Sequence, residues 1–95
     1  MVEEPIVAEE RKPLKARNLK VIDHLGTLYA TFGDFPLWKI DNVSFGVLKL
    51  CDGERTVGQI SEELASIINR SPEDVRPTIE EILNDLYKMK FIEWI

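Results

Sequence analysis

The spacing of apolar residues changes near residue 40, and this change constrains the fold of the chain more than any other feature. Before it lie three short extended runs, at residues 19–23, 27–32 and 36–40, whose spacing is typical of β-strands. The runs are separated by HLG and GDF, where glycine stands beside residues that tight turns favour. After residue 40 apolar residues recur every three or four positions, which predicts helices. The sequence therefore predicts a small antiparallel meander followed by a helical part.

Three helices are predicted after the meander. The first begins after Asp41, a good N-cap, and is expected to end at Gly53, which can take a left-handed conformation. The second begins at Thr56, and its apolar face consists of Val57, Ile60, Leu64, Ile67 and Ile68. The third begins after Ser71, with Pro72 at the first helical position, and its apolar stripe consists of Val75, Ile79, Ile82, Leu83 and Leu86. Residues 91–95, FIEWI, are predicted to form a short strand or an apolar tail.

This order of elements predicts an α+β domain of the winged helix-turn-helix type, with a three-stranded antiparallel sheet followed by three helices. Ninety-five residues with 44% hydrophobic content are enough for one such domain. Residues 1–18 contain two prolines, mixed charges and no sustained apolar period. We therefore predict a flexible N-terminal arm over residues 1–18 and a folded domain over residues 19–95.

Composition excludes several classes of protein. The single cysteine cannot form an internal disulfide, which favours a reducing compartment. The acidic N-terminus does not resemble a signal peptide, and no stretch approaches the roughly 18 apolar residues of a membrane span. The net charge is −5, and residues 56–95 hold eight acids against four bases. Because nucleic-acid binding depends on Lys and Arg, this charge balance argues against a nucleic acid as the partner. Taken together, these features predict a cytoplasmic protein that binds neither a membrane nor a nucleic acid.

The residues that carry catalytic or metal chemistry are isolated in this sequence. Cys51 and His24 have no second ligand at metal-binding spacing, and Cys51 is expected to pack inside an apolar helix end. The neighbouring glutamates of the helices, such as Glu80 and Glu81, point about 100° apart and do not converge as a general acid and base. We therefore expect no catalytic residue, metal site or cofactor, and no enzymatic activity.

The stretch LKLCDGERTVGQISEELA, residues 48–65, carries the most specific signal of the chain. Together with Ile40 and Asp41 before it, it resembles the signature of the PqqD family, the peptide chaperones of pyrroloquinoline quinone biosynthesis. The matching pieces are Ile40-Asp41, Leu50-Cys51-Asp52-Gly53, Arg55-Thr56 and Ile60. Val43, Phe45 and Gly46 depart from the small residues that are usual in the first helix. The resemblance implies that the Cys-Asp-Gly motif is a structural turn between two core helices.

The resemblance also implies a function, that of a RiPP recognition element. Such a domain binds the leader segment of a ribosomally synthesised precursor peptide and presents it to a modifying enzyme, often a radical S-adenosylmethionine enzyme. In that family the leader adds as a strand to the edge of the sheet and lies against the third helix. The peptide-binding residues expected here are Leu37, Trp38, Lys39, Ile40, Arg76, Ile79, Leu83, Tyr87 and Lys90.

Several alternatives stay open at the level of sequence. Trp38 fits the core as well as the groove, and Lys90 and Arg76 fit a solvated surface as well as an acidic leader. A winged-helix DNA-binding regulator would have the same architecture, although the third helix is rich in acids. A structural subunit without peptide binding is a third reading, and a homodimer is one of the oligomeric states left open.

Overall fold

The fold consists of five strands and three helices in the computed structural model, which describes residues 10–33 and 35–95. The strands are β1 (Pro13–Lys15), β2 (Lys20–His24), β3 (Thr27–Thr31), β4 (Trp38–Ile40) and β5 (Ile92–Trp94). The helices are α1 (Asn42–Lys49), α2 (Val57–Ile68) and α3 (Pro72–Lys88).

The predicted meander is confirmed as an antiparallel sheet with the strand order β2-β3-β4. Val21 pairs with Ala30, which pairs in turn with Trp38. Because side chains alternate across a strand, these three residues share one face of the sheet. Ala30 is fully buried and the other two pack against the core, so this is the face that covers the helices.

Each helix begins at the residue that the sequence predicts as its cap. The Asp41 carboxylate accepts a hydrogen bond from the Ser44 amide at 2.6 Å. Thr56 forms a reciprocal capping box with Gln59 at the start of α2, and the Ser71 hydroxyl accepts from the Asp74 amide at the start of α3. These side chains satisfy backbone donors that have no partner within the helix.

The helices bury most, but not all, of their predicted apolar faces. Buried members of the two predicted stripes are Val57 and Ile60 of α2 and Val75, Ile79, Leu83 and Leu86 of α3. The prediction is wrong at the end of α2, where Ile67 is 75% exposed and Ile68 is 55% exposed. The apolar stripe of α2 is longer than the surface that α1 and α3 offer to cover it.

A second sheet joins the two ends of the described chain. β1 pairs antiparallel with β5, with Pro13 opposite Trp94 and Lys15 opposite Ile92. The prediction of an unstructured arm to residue 18 is therefore wrong for Pro13–Lys15, and its residues 1–9 lie outside the described part of the chain. A three-residue strand is too short to show a period in sequence, because its stability comes from a partner almost eighty residues away. The open alternative for FIEWI is decided in favour of a strand.

The Leu-Cys-Asp-Gly turn is built by its own side chains and by β1. The Asp52 carboxylate accepts from the amides of Glu54 and Arg55, each at 2.9 Å, and these hydrogen bonds hold the pKa of Asp52 below its ordinary value. The Arg55 guanidinium binds both Asp52 and Glu63, which links the turn to α2. The expected structural role of the motif is confirmed by these contacts.

Gly53 serves the turn rather than the helix end. It has a φ of +78°, as expected, but α1 already ends at Lys49. The helix ends before the turn because main-chain groups of the turn bond to β1 instead. The Lys15 amide donates to the Cys51 carbonyl at 2.8 Å, and the Gly53 amide donates to the Pro13 carbonyl at 2.9 Å.

Cys51 is a packing residue. Its side chain is 3% exposed, and its thiol donates to the Val47 carbonyl at 3.2 Å. Burial, with a smaller contribution from the nearby Asp52 carboxylate, raises the pKa of Cys51 to about 12. A thiol in this state is a poor nucleophile, because the thiolate is the reactive form.

We expect Gly53→Ala and Gly46→Ala to change stability in opposite directions. A Cβ at Gly53 would meet Ile95 at 2.8 Å and Leu14 at 3.3 Å and would force a left-handed backbone on alanine, so the free energy of unfolding should fall by about 1–2 kcal/mol. Gly46 lies inside α1, where a Cβ meets only Leu64 at 3.9 Å, so alanine there should raise stability by about 0.5–1 kcal/mol. Urea denaturation followed by circular dichroism measures both, and equal stabilities would contradict this account of the turn.

We expect Cys51 to resist thiol reagents at pH 8 in the native chain, because the pKa of about 12 leaves almost no thiolate and the side chain is buried. Labelling with a chromogenic disulfide reagent should become fast only when urea unfolds the chain. The unfolded chain is the internal control, since its thiol titrates near 8.5. Rapid labelling of the native protein would show that Cys51 is accessible.

Candidate functional site

Strand β4 carries an unpaired edge. In the β2-β3-β4 sheet, β4 is bonded to β3 on one side and, within the described residues, to no strand on the other. The backbone donors and acceptors of an edge strand are a ready template for another extended chain. β2 forms the opposite edge, and of these two edge strands it is β4 that faces α3 across a cleft within residues 10–33 and 35–95.

This cleft, called here the edge cleft, has a volume of about 220 Å³. One wall runs from β4 into the first turn of α1 and consists of Trp38, Lys39, Ile40, Asp41 and Ser44. The other wall is the C-terminal half of α3 with the residue that precedes β5, and consists of Ile82, Asp85, Leu86, Met89 and Phe91. A strand added to β4 would therefore have α3 beside it.

Three aromatic rings hold the β4 wall in place. Trp38 packs edge-on against Phe91 and Phe32, with ring centroids 5.6 and 6.1 Å apart, and the two phenylalanines are 5.7 Å apart. Phe91 is buried, while Trp38 is half-buried. Trp38 therefore packs against the core and also lines the cleft, and its contact with a peptide stays a prediction.

The edge cleft has the chemistry of a binding surface. Its apolar side chains can take apolar residues of a peptide, while Lys39, Asp41 and Asp85 provide charges of both signs at its walls. Among residues 10–33 and 35–95, no three His, Cys, Asp or Glu side chains come together as metal ligands. In the same part of the chain, no helix has the length and hydropathy that crossing a bilayer requires.

The sequence prediction agrees with the geometry of β4. Trp38, Lys39 and Ile40 line the edge cleft, as the strand-addition hypothesis requires. Leu37 lies directly before β4 and is 43% exposed, but it is not part of the cleft wall.

The residues predicted to bind peptide on α3 do not line the edge cleft. Ile79 and Leu83 are 2% and 0% exposed, so both belong to the core, and neither lines the edge cleft. Arg76 is half-buried in the second turn of α3 and does not line the cleft.

Tyr87 and Lys90 lie at a different cavity. This cavity has a volume of about 480 Å³ and is formed with Ala16 and β5. Tyr87 packs against Trp94 there, with ring centroids 6.4 Å apart. Because residues two apart on a helix point to nearly opposite sides, Tyr87 faces away from Asp85 and Met89.

The residues that sequence reasoning missed are those next to the buried stripe of α3. Ile82, Asp85 and Met89 form the helix wall of the cleft, together with the edge of Leu86. Ile82 carried the available signal, since it belongs to the predicted stripe but lies off its centre. Locating β4 against that flank requires the tertiary structure.

Two known proteins are similar to this chain over most of its length. The chain is 28% identical over 87 residues to the PqqA binding protein of Bradyrhizobium diazoefficiens, a match that covers 90% of this chain and 84% of the relative. The solution NMR structure of the PqqD part of Methylobacterium extorquens PqqCD, described as a functional, stand-alone RiPP recognition element, has a TM-score of 0.76 at 21% identity. That likeness covers 94% of this chain and 96% of the other and shows a shared fold.

The strongest comparison spans the edge strand, all three helices and the first residue of β5. The sequence model described as coenzyme PQQ synthesis protein D (PqqD) matches residues 36–92, well over half of the chain. This stretch includes the Cys-Asp-Gly turn and both walls of the edge cleft. The chain belongs to the PqqD family.

Proposed function

We propose that this chain is a peptide-binding adaptor that takes the leader segment of a ribosomally synthesised precursor peptide as an added strand on β4. It then presents the peptide to a modifying enzyme. The observation that carries the proposal is the unpaired edge of β4 facing α3 across the edge cleft. An added strand would satisfy its backbone on one side and place alternate side chains against α3.

The energetics require both parts of this arrangement. A three-residue edge offers roughly three or four backbone hydrogen bonds, worth about 1 kcal/mol each. A micromolar dissociation constant corresponds to about 8 kcal/mol, so apolar contacts must contribute about half. Ile82 and Met89 are suited to this, because Ile82 is half-buried and Met89 is 41% exposed on the cleft.

The comparisons support a peptide of the PqqA type. The Bradyrhizobium relative is a PqqA binding protein, and the Methylobacterium structure is described as a RiPP recognition element. We extend the proposal to a radical S-adenosylmethionine enzyme as the recipient, on the resemblance of the motif. The chain supplies binding and no catalytic group in this proposal. Its site of action is the cytosol, where ribosomal precursors are made.

The alternatives are less well supported. A DNA-binding regulator would present α3 to phosphates, yet Glu73, Asp74, Glu81 and Asp85 are exposed on that helix.

A homodimer formed through β4 would occupy the same unpaired edge as the peptide. Sedimentation with and without peptide tests the homodimer. If the dimer forms through β4, peptide binding at the same edge should dissociate it.

We expect Met89→Glu to weaken peptide binding at least about tenfold, because it removes an apolar contact and places a charge in the edge cleft. Tyr87→Glu is the matched control: the two residues are 41% and 43% exposed at the same end of α3, but on opposite sides. The control should bind within about twofold of the unchanged chain. The titrant is the leader half of the PqqA-type precursor encoded nearest to the gene for this chain. Titration calorimetry measures the dissociation constant for each variant.

NMR spectra of the same titration locate the peptide. Amide shifts are expected over Trp38–Ile40 and at Ile82, Asp85 and Met89 of α3. If Tyr87→Glu lost binding and Met89→Glu did not, the peptide would lie on the β5 side of α3 and the proposal would fail in its geometry. No amide shift at millimolar peptide would reject strand addition and favour a structural subunit.

A further inference from the structure

A second apolar cavity lies beside the edge cleft and has no role in the function proposed above. It lies between the start of α1, the end of α2 and the first half of α3, and its volume is about 530 Å³. We call it the helical groove. Its walls are mostly aliphatic: Val43, Gly46, Leu64, Ile67, Ile68 and Val75.

The helical groove exposes apolar surface that a folded chain normally covers. Val43 is 59%, Ile67 75% and Ile68 55% exposed, and all three line the same cavity. Adjoining exposed aliphatic side chains in a concave surface are typical of a binding site. Gly46 adds to the concavity, because no side chain fills the space between α1 and Leu64.

The groove and the edge cleft are lined by neighbouring residues on two elements. On α3, the last residue of the groove is Ile79 and the first of the cleft is Ile82, about 4.5 Å further along the helix axis. On α1, Val43 lines the groove and Ser44 lines the cleft. An extended chain advances about 3.3 Å per residue, so about one or two residues span this axial distance.

The direction of β4 determines which end of a bound peptide arrives there. β4 runs from Trp38 to Ile40 and then directly into α1, so its C-terminal end is next to the groove. Every neighbouring pair in the β2-β3-β4 sheet is antiparallel. A strand that continues this pattern on β4 has its N-terminal end at Ile40, and the residues before it extend toward Val43.

We propose that the helical groove is a second subsite for the same peptide, which takes one or two aliphatic side chains located N-terminal to the segment that pairs with β4. This inference rests on the proposed function. It accounts for the apolar contact that the edge cleft, at about 220 Å³, provides only in part. Arg70 and Asp74 at the groove provide partners for polar groups next to the aliphatic anchor. The C-terminal part of the peptide leaves at the opposite end of the cleft, free to enter an enzyme.

The test uses methyl-labelled Ile and Val side chains with amide labelling in one sample. The titrants are the leader half of the PqqA-type precursor encoded nearest to the gene, and the same peptide without the residues N-terminal to the pairing segment. The full leader should shift the methyl signals of Ile67, Ile68 and Val43 together with the β4 amides. The shortened leader should shift the β4 amides only and bind about tenfold more weakly.

Two variants examine the groove without disturbing the core. Ile68→Glu should weaken the full leader about tenfold and leave the affinity for the shortened leader unchanged. Ile22→Glu is the matched control, since Ile22 is 44% exposed on β2 and lines neither cavity. Gly46→Leu should act like Ile68→Glu without adding charge, because its side chain fills the groove.

The outcomes separate the two proposals. If the β4 amides shift and the groove methyl signals do not, strand addition stands and the second subsite is rejected. If neither set shifts, both are rejected. If removal of residues C-terminal to the pairing segment abolishes the methyl shifts, the proposed direction is wrong. Groove methyl shifts that change with protein concentration in the absence of peptide would assign the groove to a second copy of the chain.

Discussion

The main-chain pairing of β1 is the constraint on which the rest of the structure depends. Pro13–Lys15 bonds to β5 on one side and to the turn between α1 and α2 on the other, through the Cys51 carbonyl and the Gly53 amide. The Ala16 amide also donates to the Phe91 carbonyl at 2.8 Å. Phe91 packs under Trp38, so the strand that closes the fold also sets the base of the edge cleft. This one short strand therefore supports the turn between α1 and α2, strand β5 and the base of the edge cleft.

The motif that identifies the family is separate from the surface that we propose to bind peptide. Asp52, Arg55 and Thr56 are fully engaged in the turn and in the cap of α2, and none of them lines the edge cleft. Such a motif is recognisable in sequence because few residue types can make the local hydrogen bonds or adopt the backbone conformation that each of its positions requires. A binding surface made of aliphatic side chains has no comparable signature, since many residues provide similar contacts.

The side chains of α3 lie in three different environments around the helix axis. Its buried face holds the core through Leu83, one flank forms the wall of the edge cleft through Ile82 and Met89, and the other packs Tyr87 on β5. Side chains 100° apart along the helix therefore serve stability or recognition according to what lies opposite them.

The sequence by itself determined the elements whose causes are local. The caps Asp41, Thr56 and Ser71, the extended runs of the meander and the buried stripe of α3 follow from hydrogen bonds and periodicity within a few residues. Only the tertiary structure decided which flank of α3 faces β4, that Ile67 and Ile68 remain uncovered, and that Pro13–Lys15 is a strand. These features depend on which distant segment of the chain lies opposite a residue. A hydrophobic pattern indicates that a side chain is buried, but it does not indicate which segment buries it.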